Sequence, residues 1–211
     1  SSYIEDFANF EKKELKKELI TESEKKAFWL NIYNAYIQIK AKENPSMLAD
    51  SRNDFFGKKW INIAGKEMSF DLIEHGIIRS SKIKWSLGYI DKWFPSKFEQ
   101  QFRLDSVDYR IHFALNCGAK GCPPIAFYTP ENLEEQLNTA TASFLQLETN
   151  YNVAENEVTV SKIMQWFNGD FGGKVGIKSI LEQYEITPEN SNPKIIYQDY
   201  DWTIALQNYV K

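Results

Sequence analysis

The stretch FWLNIYNAYIQI, residues 28–39, decides the fold of this chain. Its apolar and aromatic residues fall on nearly every face of a helix, which is typical of a helix buried in the centre of its domain. Thr21, followed by Glu24 three residues later, predicts a capping box at the start of this helix. Asn44 and Pro45 predict its end, because proline cannot continue a helix. We therefore expect a long central helix around which the rest of the domain packs.

Three amide side chains interrupt the apolar helix along one stripe: Asn31, Asn34 and Gln38. Buried amides must find hydrogen-bonding partners. The stripe therefore faces either the backbone of a neighbouring loop or a polar cavity. Under the first alternative the amides hold that loop in place, and under the second Asn31 and Asn34 are candidate substrate-binding residues.

The elements around the central helix are short and of mixed type. A hairpin is predicted over residues 60–69, a second hairpin over 151–160 and a final strand near 195–197. Helices and strands do not follow regular βαβ order, which favours an α+β fold. We expect a single domain with a buried central helix and a small, mostly antiparallel sheet. Residues 1–24 are expected to form a helical N-terminal extension and residues 25–211 the domain itself.

Charge and composition exclude several classes of protein. The formal net charge is −4, and acidic and basic residues are mixed along the chain, whereas nucleic-acid-binding proteins usually carry a clustered basic face. No apolar stretch approaches the roughly 20 residues of a membrane span. The sequence contains no phosphate loop and no dinucleotide-binding fingerprint, so we expect no cofactor. The expected partner is an unidentified substrate or protein, and not a nucleic acid.

The run YRIHFALNCGAKGCPP, residues 109–124, is the candidate site. It contains both cysteines, Cys117 and Cys122, and one of the two histidines, His112. Its first half is β-branched and aromatic and predicts a buried central strand over residues 109–116. Two glycines and a Pro-Pro pair then force an irregular loop. Functional residues are often placed on a loop after a rigid strand.

The two cysteines have three candidate roles: a nucleophilic thiol, a disulfide or a zinc site. The C-x4-C spacing permits a disulfide but differs from the usual C-x2-C spacing of a zinc site, so we expect no metal. On a regular strand, His112 and Cys117 lie about 16 Å apart on opposite faces, which excludes their pairing. A cysteine–histidine dyad then pairs His75 with either cysteine, or His112 with Cys122.

The other histidine, His75, lies in a predicted helix. Helical spacing places Asp71 four residues before it and Arg79 four residues after it, all on one face. Asp71 is then positioned to orient the imidazole of His75, as a general base requires. Glu74 points about 100° away around the helix and is expected to contact another group, such as a buried arginine. The alternatives are a surface ion network for His75 and a hydrogen-bonded core position for His112.

Three pieces of the chain resemble the family known as domain of unknown function 547. They are AFWLNIYNA (27–35), IEHGIIR (73–79) and RIHFALNCGAKGCPP (110–124). Shorter matches follow at SKI (161–163), DF (170–171) and YDW (200–202). The chain departs from the family pattern at Gly121, where serine is usual, and at Tyr109, where proline is frequent. The resemblance implies a single-domain bacterial protein exported to an extracytoplasmic space, and it implies no established activity.

Two functions of different classes fit these patterns. The first is a cysteine-dependent hydrolase or acyl transferase that acts on a peptide-like, amide or ester substrate. Its nucleophile is Cys117 or Cys122, and its base is His75, or His112 if Cys122 is the nucleophile. The remaining candidate site residues bind the substrate or shape the cleft: Asn31, Asn34, Glu74, Arg79 and Arg110. The two arginines also supply the positive surroundings that a thiolate needs.

The second function is a non-catalytic, exported binding module whose cysteine loop is structural. The aromatic-rich segment 85–102 would supply a binding surface of the kind that Trp and Tyr favour. The alternative is that these aromatic residues belong to the hydrophobic core.

Overall fold

The structure is a computed structural model that describes residues 2–210. Its longest helix, α3 (Glu22–Glu43), begins at the predicted capping box. The Glu24 amide donates to Thr21 Oγ1 over 3.2 Å, and the Thr21 amide donates to Glu24 Oε2 over 2.7 Å. Two amides that would otherwise lack partners at the helix start are satisfied in this way.

Side chains from the middle of α3 form the centre of the main hydrophobic core. Trp29, Leu30 and Ile37 have no exposed surface. Phe98 and Phe102 pack edge-on against Trp29, each with its ring centroid 6.3 Å from that of the indole. Burial of one such side chain stabilises the fold by about 1.5–3 kcal/mol. The prediction of a buried central helix is confirmed.

Short helices flank α3 along the chain. They are α1 (Ser2–Asn9), α2 (Lys12–Glu18), α4 (Pro45–Asp50) and α5 (Arg52–Gly57). Leu15 and Leu19, from the N-terminal segment, are buried in the same core as α3. The division of the chain into an N-terminal extension (1–24) and a domain (25–211) stays a prediction. The first residue of the extension, Ser1, and the last residue of the domain, Lys211, lie outside the described residues.

The strands form two small sheets. β1 (Ile61–Ile63) pairs antiparallel with β2 (Lys66–Met68). β3 (Asn150–Asn152) pairs antiparallel with β4 (Glu157–Val160), and β4 pairs in parallel with β5 (Lys194–Tyr197). Both predicted hairpins and the predicted final strand are present. The α+β class is confirmed. The structure has two small sheets, whereas the sequence predicts one.

The remaining helices lie between and after the strand pairs. The α-helices are α6 (Lys97–Phe102), α7 (Leu133–Glu148), α8 (Ile163–Trp166) and α9 (Gly173–Gln183). A π-helix covers Leu72–Ile78, and 3₁₀-helices cover Lys84–Ser86 and Tyr109–Phe113. Within residues 2–210, no helix combines the length and the apolar character that a membrane span requires.

The strand predicted over residues 109–116 is wrong, because the chain forms the 3₁₀-helix Tyr109–Phe113 there. Asp108 starts this turn: its Oδ1 accepts a hydrogen bond from the Arg110 amide, and its carbonyl accepts one from the Ile111 amide, each over 3.1 Å. Local side-chain bonds of this kind compete with strand pairing. Strand propensity depends on a pleated neighbour to pack against, so it does not prevail at this position.

Candidate functional site

A cavity of about 420 Å³, which we call the histidine cavity, is lined by residues of the π-helix, α5 and α8 and of the C-terminal segment. Four predicted site residues line it: His75, His112, Glu74 and Cys117. Aromatic side chains supply much of the remaining wall: Tyr33, Phe56, Trp166, Phe167, Tyr200 and Trp202. A concave apolar space with a few converging polar groups is the usual form of a small-molecule site. Among the described residues, no three His, Cys, Asp or Glu side chains are grouped in a way that could hold a metal ion.

A buried ion pair connects the two histidines behind the cavity wall. Asp170 Oδ2 accepts a hydrogen bond from Arg79 Nε over 2.6 Å and another from His112 Nε2 over 2.8 Å. Arg79 Nη1 in turn donates to His75 Nδ1 over 2.7 Å. The side chains of Arg79 and Asp170 have no exposed surface, so each compensates a charge whose burial alone would be very costly.

The contact with Asp170 determines the tautomer of His112, that is, which ring nitrogen carries the hydrogen. A carboxylate only accepts, so His112 donates from Nε2 and keeps its lone pair on Nδ1. Burial lowers the pKa of His112 against the opposing effect of Asp170, and the ring is therefore neutral at pH 7. Within the described residues, the hydrogen bond of the His112 ring is the one through Nε2, and none involves Nδ1. The ring also stacks on Phe167, with the centroids 4.0 Å apart, so His112 is an oriented imidazole with an available lone pair.

His75 is the same tautomer, with its hydrogen on Nε2, but the lone pair on its Nδ1 is occupied. An arginine only donates, so His75 Nδ1 accepts from Arg79 and Nε2 carries the hydrogen. Nε2 lies 3.7 Å from Asp71 Oδ1, as the helical spacing predicted. Burial and the charge of Arg79 lower the pKa of His75 to about 3. Because its lone pair is occupied, His75 acts as a hydrogen-bond donor in this arrangement and not as a base.

The two cysteines form a disulfide. Cys117 lines the histidine cavity, whereas Cys122 is 5% exposed and does not line it. The Tyr200 hydroxyl lies 3.2 Å from Cys117 Sγ and 3.1 Å from Cys122 Sγ. The disulfide is one of the three cysteine roles that the spacing left open.

The cavity brings Cys117 together with both histidines. The pair His75 and Cys117 was among the predicted dyads. The exclusion of His112 and Cys117 as a pair holds only for a regular strand, and it does not apply here because that strand is absent and both residues line the cavity. Cys122 is not brought to the cavity, so its predicted dyads gain no support there.

Asn31 and Asn34 bind loop backbone. Asn31 Nδ2 donates to the Tyr128 carbonyl over 2.8 Å, and its Oδ1 accepts from the Tyr128 amide over 2.9 Å. Asn34 binds the Ala114 carbonyl and the Asn116 amide in the same two-sided manner, each over 2.9 Å. The amides of α3 thus hold neighbouring loops, which is the first of the two alternatives. Their role in substrate binding stays a prediction and concerns a second cavity of about 660 Å³, which both residues line.

Glu74 and the two arginines occupy three different environments. Glu74 lines the histidine cavity and accepts a hydrogen bond from the Tyr33 hydroxyl over 3.1 Å. Arg79 lies behind the cavity wall, in the buried ion pair. Arg110 lies outside the cavity wall and binds Asp108 over 2.7 Å. Of these three predicted residues, Glu74 is the one in a position to touch a ligand of the cavity.

Gly121, one of the two departures from the pattern of the family that the chain resembles, lies against the ring of Tyr200. A Cβ atom at this position would lie 3.1 Å from two ring carbons of Tyr200, which is closer than an ordinary van der Waals contact. The missing side chain therefore makes room for this ring, whose hydroxyl reaches both sulfurs.

Sequence reasoning missed Asp170 and Tyr200 as parts of the site. The signal for Asp170 is the buried Arg79, because an arginine in an apolar helix needs an acidic partner. That requirement does not identify the acid, which lies 91 residues away. Tyr200 gave no signal of its own beyond its place in a short matched piece.

A family model described as "Protein of unknown function, DUF547" matches residues 17–145, more than half of the chain. The matched part contains both cysteines and both histidines, whereas Asp170 and Tyr200 lie beyond it. No curated protein and no solved structure matches the chain.

Proposed function

Since the chain belongs to the DUF547 family, whose description names no activity, we propose its function from the chemistry of the histidine cavity. The protein is a cysteine-dependent hydrolase or acyl transferase for a peptide-like, amide or ester substrate. One observation carries this proposal: Cys117 and His112 line the same cavity, while Asp170 orients His112 from behind its wall.

In the proposed reaction, reduced Cys117 is the nucleophile and His112 is the base. The Cys117 thiol gives its proton to His112 Nδ1 as the sulfur attacks the substrate carbonyl. The imidazolium, stabilised by Asp170, returns this proton to the leaving amine or alcohol, and the acyl group stays on Cys117 as a thioester. Water then releases the acid in a hydrolase, and another nucleophile takes the acyl group in a transferase. His75 donates from Nε2 to the oxyanion that develops.

The residues that line the cavity suit a substrate that has both apolar groups and N–H groups. Trp166 and Trp202 supply ring faces for the apolar part. Glu74 accepts from Tyr33, and no lysine or arginine of the described chain forms a salt bridge with it. This carboxylate is placed to accept a hydrogen bond from an amide or amine of the substrate, as a peptide-like compound would supply.

We also propose an extracytoplasmic location. The disulfide supports this location, because oxidising compartments preserve such bonds and reducing ones remove them. The bacterial origin that the family resemblance implies stays a prediction.

Acylation of the reduced protein by a p-nitrophenyl ester tests the proposal. We expect a burst of p-nitrophenol and an acyl group on Cys117, both in the wild type and in the control Cys122→Ser. Cys117→Ser should show no burst, and His112→Gln should acylate about 100-fold more slowly. Circular dichroism confirms that each variant is folded. An undiminished burst in folded Cys117→Ser would overturn the proposal.

A second candidate is a non-catalytic binding module, which the exposed aromatic residues favour. Trp85, Trp93 and Phe94 expose 74%, 84% and 93% of their surfaces, so these three do not belong to the core. Exposed aromatic side chains often anchor a binding partner. In this candidate the disulfide only stabilises its loop. Cys117→Ser would then leave binding intact, whereas it abolishes the burst that the first candidate requires.

A further inference from the structure

We propose that the Cys117–Cys122 disulfide is a thiol–disulfide exchange site, which a small thiol or dithiol reductant reaches through the histidine cavity. The consequence for activity rests on the proposed function: opening the disulfide frees the Cys117 thiol that acyl transfer requires, and closing it blocks that chemistry. The exchange itself depends only on the disulfide and its surroundings. It can therefore be tested without an acyl substrate.

The cavity makes one sulfur accessible and leaves the other buried. Because Cys117 lines the cavity and Cys122 does not, an incoming thiolate forms its new bond to Cys117 Sγ. The disulfide bond breaks, and its electron pair leaves on Cys122 Sγ. A second thiolate of the reductant then attacks the reductant sulfur of the mixed disulfide and releases Cys117 as a thiolate. The reductant ends as a disulfide, and its two thiol protons are available to the two protein sulfurs.

Hydrogen-bond donors surround the leaving sulfur. Cys122 Sγ accepts from the Cys117 amide over 3.0 Å and from the Ala119 amide over 3.4 Å. The Tyr200 hydroxyl donates to it over 3.1 Å, because a disulfide sulfur carries no hydrogen. Such donors stabilise a thiolate more strongly than a neutral sulfur. A stabilised thiolate is the better leaving group, so these contacts favour attack on Cys117.

The loop that carries the cysteines is also held by bonds other than the disulfide. Asn116 closes it from inside: its Nδ2 donates to the Pro123 carbonyl over 2.7 Å, and its Oδ1 accepts from the Gly118 amide over 2.8 Å. From the C-terminal segment, the Thr203 carbonyl accepts from the Lys120 amide over 2.8 Å. These bonds keep the donors near Cys122 after the disulfide opens. The same bonds hold the two sulfurs close enough for the disulfide to form again.

The first measurement maps the attacked sulfur in the wild-type protein. Oxidised protein is treated with reduced glutathione without denaturant, free thiols are capped with N-ethylmaleimide, and both cysteines are assigned by tandem mass spectrometry. We expect glutathione on Cys117 and maleimide on Cys122. Glutathione on Cys122, or no reaction until the protein unfolds, would overturn the proposal.

The second measurement removes one donor to the leaving sulfur. Tyr200→Phe should slow reduction by dithiothreitol about tenfold, because one hydrogen bond to the leaving thiolate is lost. The matched control is Tyr209→Phe, at a tyrosine of the second cavity, and it should reduce at the wild-type rate. Equal rates in all three proteins would contradict the role of these donors.

The two proposals fail separately. If glutathione marks Cys117 but the reduced protein is not acylated, the proposed function is overturned and the exchange site stands. If the reduced protein is acylated but the native disulfide does not exchange through Cys117, only the exchange site is overturned.

Discussion

Arg79 and Arg110 show how differently one chain uses the same side chain. Arg79 has no exposed surface, donates to Asp170 over 2.6 Å and lies 4.6 Å from the ring centroid of Phe167. Arg110 has 15% of its side chain exposed and binds both oxygens of Asp108, over 2.9 and 2.7 Å. Arg79 thus connects the two histidines of the cavity, whereas Arg110 forms its ion pair outside the cavity.

The difference between the two arginines is one of solvation. Loss of one partner from a fully buried pair leaves a charge that the interior cannot solvate, at a cost of about 3–5 kcal/mol. A pair near the surface contributes about 0–1 kcal/mol, because water replaces much of what is lost. Arg110 is closer to this second case, because 15% of its side chain is exposed. In addition, Lys26 binds Asp108 over 2.7 Å, so Asp108 keeps a cation when Arg110 is lost. The two residues are of the same type, so the degree of burial determines how much each arginine contributes to the free energy of unfolding.

The same substitution at both positions is the strongest test of this comparison. Arg79→Met should lower the free energy of unfolding by about 3–5 kcal/mol, because Asp170 stays buried without its cation. Arg110→Met should lower it by about 1 kcal/mol, since Lys26 still compensates Asp108. Urea unfolding followed by circular dichroism measures both losses. Equal losses at the two positions would break the comparison.

The two regions should also lose stability in different pH ranges. Burial and Arg79 lower the pKa of His75 to about 3, and burial lowers the pKa of His112, whereas an unfolded histidine titrates near about 6.5. Below about pH 6.5 the unfolded state therefore binds more protons, so stability falls as the pH falls. Burial raises the pKa of Asp108, but hydrogen bonds from Arg110 and the charge of Lys26 outweigh this and lower it to about 2. Its contribution is lost between about pH 4 and pH 2.

The slope of the unfolding free energy against pH separates these two contributions. Between about pH 6.5 and 4.5, above the range of Asp108, the slope reports the histidine region. His75→Gln should reduce the slope in this range. Asp108→Asn should leave it unchanged and flatten the curve only below about pH 4. Urea unfolding at a series of pH values measures the slope. A flat wild-type curve over the upper range would show that the buried histidines do not resist protonation.

Sequence reasoning reached the parts of this molecule that depend on near neighbours. The capping box of α3, both hairpins and the alignment of Asp71, His75 and Arg79 are set by residues a few positions apart. The amides of α3 were recognised as residues in need of partners. Their choice between loop and cavity depended on where distant loops lie, which local patterns do not contain.

The parts that were missed depend on contacts between distant residues or on a local competition. The pairing of Arg79 with Asp170 spans 91 residues, and the chain offers 29 acidic residues as partners. The strand predicted over residues 109–116 failed because Asp108 binds backbone amides that a strand would have used. In the absence of that strand, Cys117 and His112 line one cavity, whereas on a regular strand they would lie about 16 Å apart on opposite faces.

The smallest effect is expected at the exposed end of the Arg110 cluster. Glu134 accepts from Arg110 Nη2 over 2.8 Å, but 68% of its side chain is exposed, against 14% for Asp108. Glu134→Gln keeps the shape and removes the charge, so it should cost at most about 0.5 kcal/mol in unfolding free energy, and less in about 1 M salt, where charges are screened within about 3 Å. Asp108→Asn, the matched control, should cost more and respond less to salt. If the two substitutions cost the same, exposure does not control these contacts, and the contrast between Arg79 and Arg110 needs another cause.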